Sequence, residues 1–214
     1  MKLKFKLSIV ALFSICLGTY SYGQIRLAPE VGANLSNYTS KYEIGNSTYS
    51  NSSQYLLGAR AGLALDLGIT DHIAIQPGFY YNLARTKNEV TFLGSTFTET
   101  TDIHGFQLPV YAMLRTGGSD SGHLFVGVGP VFNWNLSGTT KGNNIEREMD
   151  FGNDSSDDLR SFELGASATV GFKLQMGAFV RAYYHLGLSN LSPIDDNNSS
   201  IRSNSFGLSL GFYF

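Results

Sequence analysis

Large apolar residues recur at every second position along most of the chain. In the final nine residues, Phe206, Leu208, Leu210, Phe212 and Phe214 alternate with Gly207, Ser209, Gly211 and Tyr213. A period of two marks a β-strand with one apolar face and one small or polar face. The same dyad pattern predicts seven strands upstream, at about 25–37, 54–67, 72–85, 103–115, 123–136, 159–172 and 178–191. In the first, Ile25, Leu27, Val31 and Leu35 oppose Arg26, Glu30 and Asn34; in the second, Tyr55, Leu57, Leu63 and Leu65 oppose Arg60 and Asp66. Pro77, Pro109 and Pro130 fall inside predicted strands, where a residue without an N–H is expected at a bulge or register break.

The connections alternate between long (38–53, 86–102, 137–158, 192–203) and short (68–71, 116–122, 173–177). Membrane β-barrels of the outer-membrane type have short periplasmic turns and long outer loops in this order. A soluble barrel also alternates, but it turns its apolar face inward and needs large side chains there. Here the polar face carries glycine, serine and charge, and the apolar face carries Tyr55, Tyr81, Trp134 and Tyr184 near strand ends, where amphipathic rings suit a membrane interface. The expected fold is therefore all-β: an eight-stranded antiparallel transmembrane barrel of the outer-membrane type, with both termini periplasmic.

The N-terminus supports export. Lys2, Lys4 and Lys6 precede the apolar run Leu7–Gly18, and Ser21-Tyr22-Gly23 forms a small-x-small cleavage site. The run is too short to span a bilayer as a helix. Residues 1–23 thus read as a signal peptide and 24–214 as one barrel domain. The single cysteine, Cys16, lies within the run, with Ile15 where a lipoprotein signal needs a small residue. The mature chain then has neither disulfide nor thiolate site. Losing three lysines changes 15 basic against 17 acidic residues to 12 against 17, a net charge of −5, which argues against nucleic acid as a partner.

With the strands placed, Val31-Gly-Ala-Asn-Leu-Ser36, Phe106-Gln-Leu-Pro-Val-Tyr111, Val126-Gly-Val-Gly-Pro-Val131, Phe162-Glu-Leu-Gly165 and Tyr184–Leu191 carry a likeness. The chain resembles the small outer-membrane β-barrel family of Bacteroidetes, PorT-like or outer-membrane protein β-barrel domain proteins. The resemblance implies insertion by the barrel-assembly machinery, which reads a C-terminal aromatic signal; Phe212 and Phe214 fit it. It implies no catalytic, cofactor or metal residues.

An eight-stranded lumen is nearly filled by side chains, so its charges need partners. Arg26 and Asp66 lie at one depth and Glu30 and Arg60 at another, which predicts cross-strand ion pairs that hold the lumen shut. Arg181 has no adjacent acid; it either reaches across to Glu30 or binds a ligand. His185 and Ser189 form the sharpest enzymatic candidate, since lipid A deacylases on small barrels pair a histidine with a serine two residues away. A spacing of four is ~13 Å along a strand, too far for a base to reach a hydroxyl. His72, His104 and His123 show no metal-ligand spacing. The stretch 138–158 is acidic (Glu146, Glu148, Asp150, Asp154, Asp157, Asp158 against Lys141 and Arg147), and Asp195-Asp196-Asn197-Asn198 follows later; neither matches a calcium loop. Asn46-Ser-Thr48 has the glycosylation pattern common in asparagine-rich loops.

The sequence thus leads to a non-enzymatic barrel with an occluded lumen, seated among outer-membrane lipid and lipopolysaccharide, presenting polar loops to an external partner. The alternatives are a barrel serving secretion-system or periplasmic partners, a lipid A-modifying enzyme and a narrow pore.

Overall fold

The computed structural model describes residues 25–44, 47–92, 95–118, 121–142, 145–154, 156–193 and 199–214. Residues 1–24 lie outside the described residues, and with them the expected signal peptide and Cys16. Ten strands form one antiparallel sheet: β1 (Ile25–Ile44), β2 (Ser47–Ser52), β3 (Gln54–Gly68), β4 (Ile73–Phe92), β5 (Ser95–Arg115), β6 (His123–Gly142), β7 (Ile145–Met149), β8 (Phe162–Lys173), β9 (Ala178–Gly187) and β10 (Ser199–Phe212). Eight of them pair in the order β10-β9-β8-β6-β5-β4-β3-β1, and β10 returns to β1 from Glu30↔Gly211 to Tyr42↔Ser199, closing a ring. The short strands β2 and β7 pair only with the upper parts of β1 and β6. Closure leaves no edge strand within the eight-stranded ring, which is the condition for burying a sheet in hydrocarbon.

Alternation decides which way each side chain points. Outside, leucines, valines and aromatic rings from all eight ring strands stand uncovered; Val128, Leu208 and Leu210 are each 63% exposed. Leaving such a face in water costs about 25 cal/mol per Å² of apolar surface, so the belt belongs in lipid. Inside, charged groups share the space with rings: Tyr80, Tyr111, Phe125, Phe179 and Tyr183 are buried. Glycines on neighbouring strands make room for them. A Cβ at Gly171 would strike the ring of Phe125, one at Gly207 that of Tyr183, and one at Gly211 that of Phe179. The glycine and serine of the polar face are thus the floor beneath a set of inward rings.

Two expectations need correction. The long connections are largely strand: β4, β5 and β6 run for 20, 21 and 20 residues, and β4 and β5 pair as far as Phe92↔Ser95. A membrane strand needs only about 9–11 residues, so the ladder continues well beyond the apolar belt. The threonine-rich stretch 86–102 has high strand propensity, but its apolar residues Val90, Phe92, Leu93 and Phe97 keep no regular alternation with polar ones. The prolines, in turn, do not mark register shifts. Those fall between Leu56 and Ala59 in the β3–β4 pairing and between His104 and Gly105 in β5–β6. Around Pro77, Pro109 and Pro130 the ladders lose partners on one side at most, and the same register resumes beyond.

Both ends of the described chain lie at one rim, where the Phe214 amide donates to the Leu27 carbonyl (2.9 Å). The turns at this near rim are short. In the β8–β9 turn, Gly177 adopts φ 101°, a left-handed conformation that glycine enters without strain. The long strands rise to the opposite, far rim.

Candidate functional site

The lumen is organised around Glu30 on β1. Its directly opposed residues on the flanking strands are Gly62 and Gly211, which leave the carboxylate room to extend inward. It accepts hydrogen bonds from Arg60 Nη2 on β3 (2.7 Å), Tyr80 on β4 (3.0 Å) and Ser209 on β10 (2.5 Å). Arg181 on β9 reaches across the interior to place Nε 3.4 Å from the second carboxylate oxygen. All three charged side chains are fully buried. Two guanidiniums for one carboxylate leave an excess of positive charge, and aromatic faces offset it. The Arg60 guanidinium lies 3.8 Å from the Tyr80 ring centroid and 3.9 Å from that of Tyr183. That of Arg181 lies 5.4–5.6 Å from Tyr111, Phe125 and Phe179, and donates to Gln76.

Nearer the termini, Asp66 accepts from Arg115 and from Gln76 (3.3 Å), and Gln76 also donates to Tyr213 (2.8 Å). Arg26 is directly opposite Asp66 in the β1–β3 register. With Arg115, His123 and Lys173 these residues line a cavity of about 10 Å³ just inside the near rim.

Beyond the central cluster, His185 Nδ1 is 2.7 Å from Ser167 Oγ, and that hydroxyl is 2.8 Å from Tyr111. The other ring nitrogen of His185 lies 3.4 Å from Arg60 Nη1. Ser189 is not brought to it: it lies past the end of β9, where its hydroxyl accepts from the Leu164 amide (2.9 Å). Further up, Asn34 donates to Asn82 (2.8 Å), Asn133 donates to Glu163 (2.9 Å), and Ser203 donates to the same carboxylate (2.7 and 2.8 Å). A cavity of about 30 Å³ remains at this level.

The far mouth is covered by apolar groups. Residues 156–160 and 188–193 fold back so that Leu159 and Leu191 pack with Ala84 and Ile103, flanked by Tyr38, Met149, Phe151 and Ile201. Backbone bonds fix the cover, with the Arg160 amide donating to Leu191 and the Leu191 amide to Ile201. Above it opens a vestibule of about 200 Å³.

Outside the belt, the acidic stretch is partly paired: Arg147 meets Asp158 at 2.7 Å and Lys141 meets Glu146 at 3.0 Å. Partial burial pushes the Asp158 carboxyl up, but the Arg147 guanidinium and the Asp150 amide outweigh it and hold it below the usual carboxylate range. No group of three His, Cys, Asp or Glu side chains with metal-binding geometry occurs among the described residues. The 195–198 run and Asn46 fall outside them. His72 and His123 bond to the backbone carbonyls of Arg115 and Ser121, and His104 to the Tyr81 hydroxyl. Tyr55, Tyr81, Trp134 and Tyr184 face outward, and Phe212 packs against Phe214 at the near rim with the rings tilted (5.0 Å between centroids).

Sequence reasoning placed Gln76 on the polar face but gave no role to Tyr80, Tyr111, Tyr183 or Arg115. Strand parity turns each of them inward, which was the available signal; for Arg181 the sequence offered Glu30 across the lumen as one of two partners without deciding between them.

The sequence model of the family described as outer membrane protein beta-barrel domain matches residues 20–192. No curated protein matches the sequence. Among solved structures, the outer membrane protein OprG from Pseudomonas aeruginosa shares 11% identity over 91% of this chain and 98% of its own, with a TM-score of 0.51. The attachment invasion locus protein Ail of Yersinia pestis shares 12% over 88% and 98%, with a TM-score of 0.41. The likeness to OprG is one of fold.

Proposed function

Because the chain belongs to the outer membrane protein beta-barrel domain family, we propose that it is a sealed barrel that presents its extended strand hairpins outside the outer membrane. Family membership carries the location. The reading of a sealed lumen rests on one observation: the Glu30–Arg60–Arg181 cluster sits fully buried across the middle of the ring, packed between aromatic rings. A conducting pore lined by these charges would leave them hydrated. The barrel then anchors the far-rim hairpins in lipopolysaccharide-bearing membrane, and their polar faces, carrying Tyr42, Tyr49 and Phe97 exposed, meet an external partner. The near rim with both termini faces the periplasm, reached after removal of the N-terminal signal and insertion by the barrel-assembly machinery.

Cysteine labelling tests this orientation, since the mature chain has none of its own. On intact cells a membrane-impermeant maleimide should label Thr98→Cys on the β5 hairpin and spare Gly118→Cys in a near-rim turn. Labelling of Gly118→Cys alone would invert the assignment.

A second reading, narrower and tied to the PorT-like resemblance, has the barrel work with periplasmic or secretion-system partners. The basic near-rim mouth favours it, with Arg26, Arg115 and Lys173 set against Asp66. Loss of secretion on altering 116–122, with insertion intact, would support this alternative. Hydrolysis gains no support: His185 is held by Ser167 and faces a guanidinium where an orienting carboxylate is needed.

A further inference from the structure

Gln107 on β5, Asn133 on β6 and Glu163 on β8 are directly opposed in register, Gln107↔Asn133 and Asn133↔Glu163. They form one inward row across three neighbouring strands, with Cβ atoms about 4.5–5.5 Å apart as in any such row. All three are buried, at 6%, 9% and 3% exposure. They line the cavity of about 30 Å³ above the central cluster. Two features of the row are unusual. The side-chain oxygens of Gln107 and Asn133 have no hydrogen-bond donor among the described residues. The Glu163 carboxylate has its hydrogen bonds only from neutral groups, Asn133 and Ser203, and no described cation pairs with it.

A buried carboxylate without a cation is costly, and so is each buried acceptor without a donor. The Asn133 amide is oriented by the bond its nitrogen gives to Glu163, which leaves its oxygen directed elsewhere. The two Glu163 oxygens contact only Ser203 and Asn133, which leaves lone pairs on both for a further partner. A water molecule would satisfy the free oxygens but leave the charge uncompensated. One species answers both demands. We propose that this row is a binding site for a small hard cation, of the sodium or calcium class, held by the Glu163 carboxylate and the amide oxygens of Gln107 and Asn133. Hard cations select oxygen ligands of this kind, and a cavity of this size holds one ion with a water or two. Bound there, the ion ties β5, β6 and β8 together beneath the apolar cover of the far mouth.

The test uses the purified full mature chain in lipid nanodiscs, unfolded thermally in sodium, calcium or choline chloride at equal ionic strength. Emission of Trp134, the only tryptophan, reports from the residue next to Asn133. A saturable rise in the midpoint with sodium or with calcium over choline is expected, of about 5–10 °C at a hundredfold excess over the dissociation constant. Which salt acts identifies the ion as monovalent or divalent. Glu163→Gln keeps the contacts to Ser203 and Asn133 and should abolish the rise. Gln107→Met keeps the volume, removes one ligand and should raise the half-saturating concentration about tenfold or more. Equal midpoints in all three salts would overturn the proposal on the unmodified chain, even if neither variant folds. A rise that persists unchanged in both variants would also overturn it, and would place the ion on the acidic far-rim hairpins.

Discussion

Replacing Glu30 with glutamine removes one charge from the centre of the lumen while conserving its shape. Tyr80 and Ser209 donate to different carboxylate oxygens, so the single amide oxygen keeps only one of these two acceptors, and the Arg60 and Arg181 guanidiniums lose their shared counter-ion. The contacts of Arg60 with Tyr80 and Tyr183 are the same before and after, so they do not offset the loss. Breaking a buried pair by removing one partner costs about 3–5 kcal/mol, because the remaining charge is left uncompensated. At roughly 2–4 °C per kcal/mol for a chain of this size, the unfolding midpoint should fall by roughly 6–20 °C. Urea unfolding in lipid vesicles, followed by Trp134 emission, measures the loss directly. Adding Arg181→Met to Glu30→Gln removes one of the two stranded cations and should recover part of it, a coupling expected only between residues in one network. A loss below about 1 kcal/mol would refute the reasoning, since it is the value for solvated surface pairs and would mean that water reaches the arginines.

Three further outcomes follow from the rims. The Asp158 carboxyl is held below its ordinary range, so its stabilisation of the 147–158 fold-back is complete above the unfolded carboxylate pKa and is lost as pH falls through the lowered folded value; hydrogen exchange at the Asp150 amide, which donates to Asp158, should accelerate only in that acidic window. Leu159→Ala should loosen the cover of the far mouth by about 2–5 kcal/mol, seen as faster exchange at the Arg160 amide with little change at the Glu30 level. Deleting Phe214 together with Phe212→Ser should reduce the amount of barrel inserted in cells while leaving refolding into vesicles nearly unchanged; equal loss in both would make the two rings structural rather than an assembly signal.

Strand existence and facing were legible because lipid enforces the dyad: a single misplaced residue in Leu124–Val128 or Phe206–Phe212 would put a polar group in hydrocarbon. The same logic fails above the membrane. The paired stretches 38–44 and 95–102 are as regular as the rest, but beyond the lipid nothing enforces the apolar outer face whose periodicity announces a strand. Inside, parity located Glu30, Arg60 and Arg181 on the lumen face, and the closeness of Glu30 to Arg60 follows from adjacent strands. The meeting of Glu30 with Arg181 depends on ring closure through β10 and on the reach of a side chain across the interior, neither of which a linear pattern encodes. Tyr80, Tyr111 and Tyr183 were hidden for a different reason. Tyrosine is at home on either face of a membrane strand, and only the glycines opposite, such as Gly207 beneath Tyr183, show that the ring is turned inward.

The central claim is that the lumen is sealed at the Glu30–Arg60–Arg181 level. Single-channel recording of the purified mature chain in planar bilayers, with strand-rich circular dichroism confirming insertion, addresses it most directly. The account predicts silence. Stable, ion-selective conductance steps that change with Glu30→Gln or Arg181→Met would contradict it and make those residues the lining of a pore.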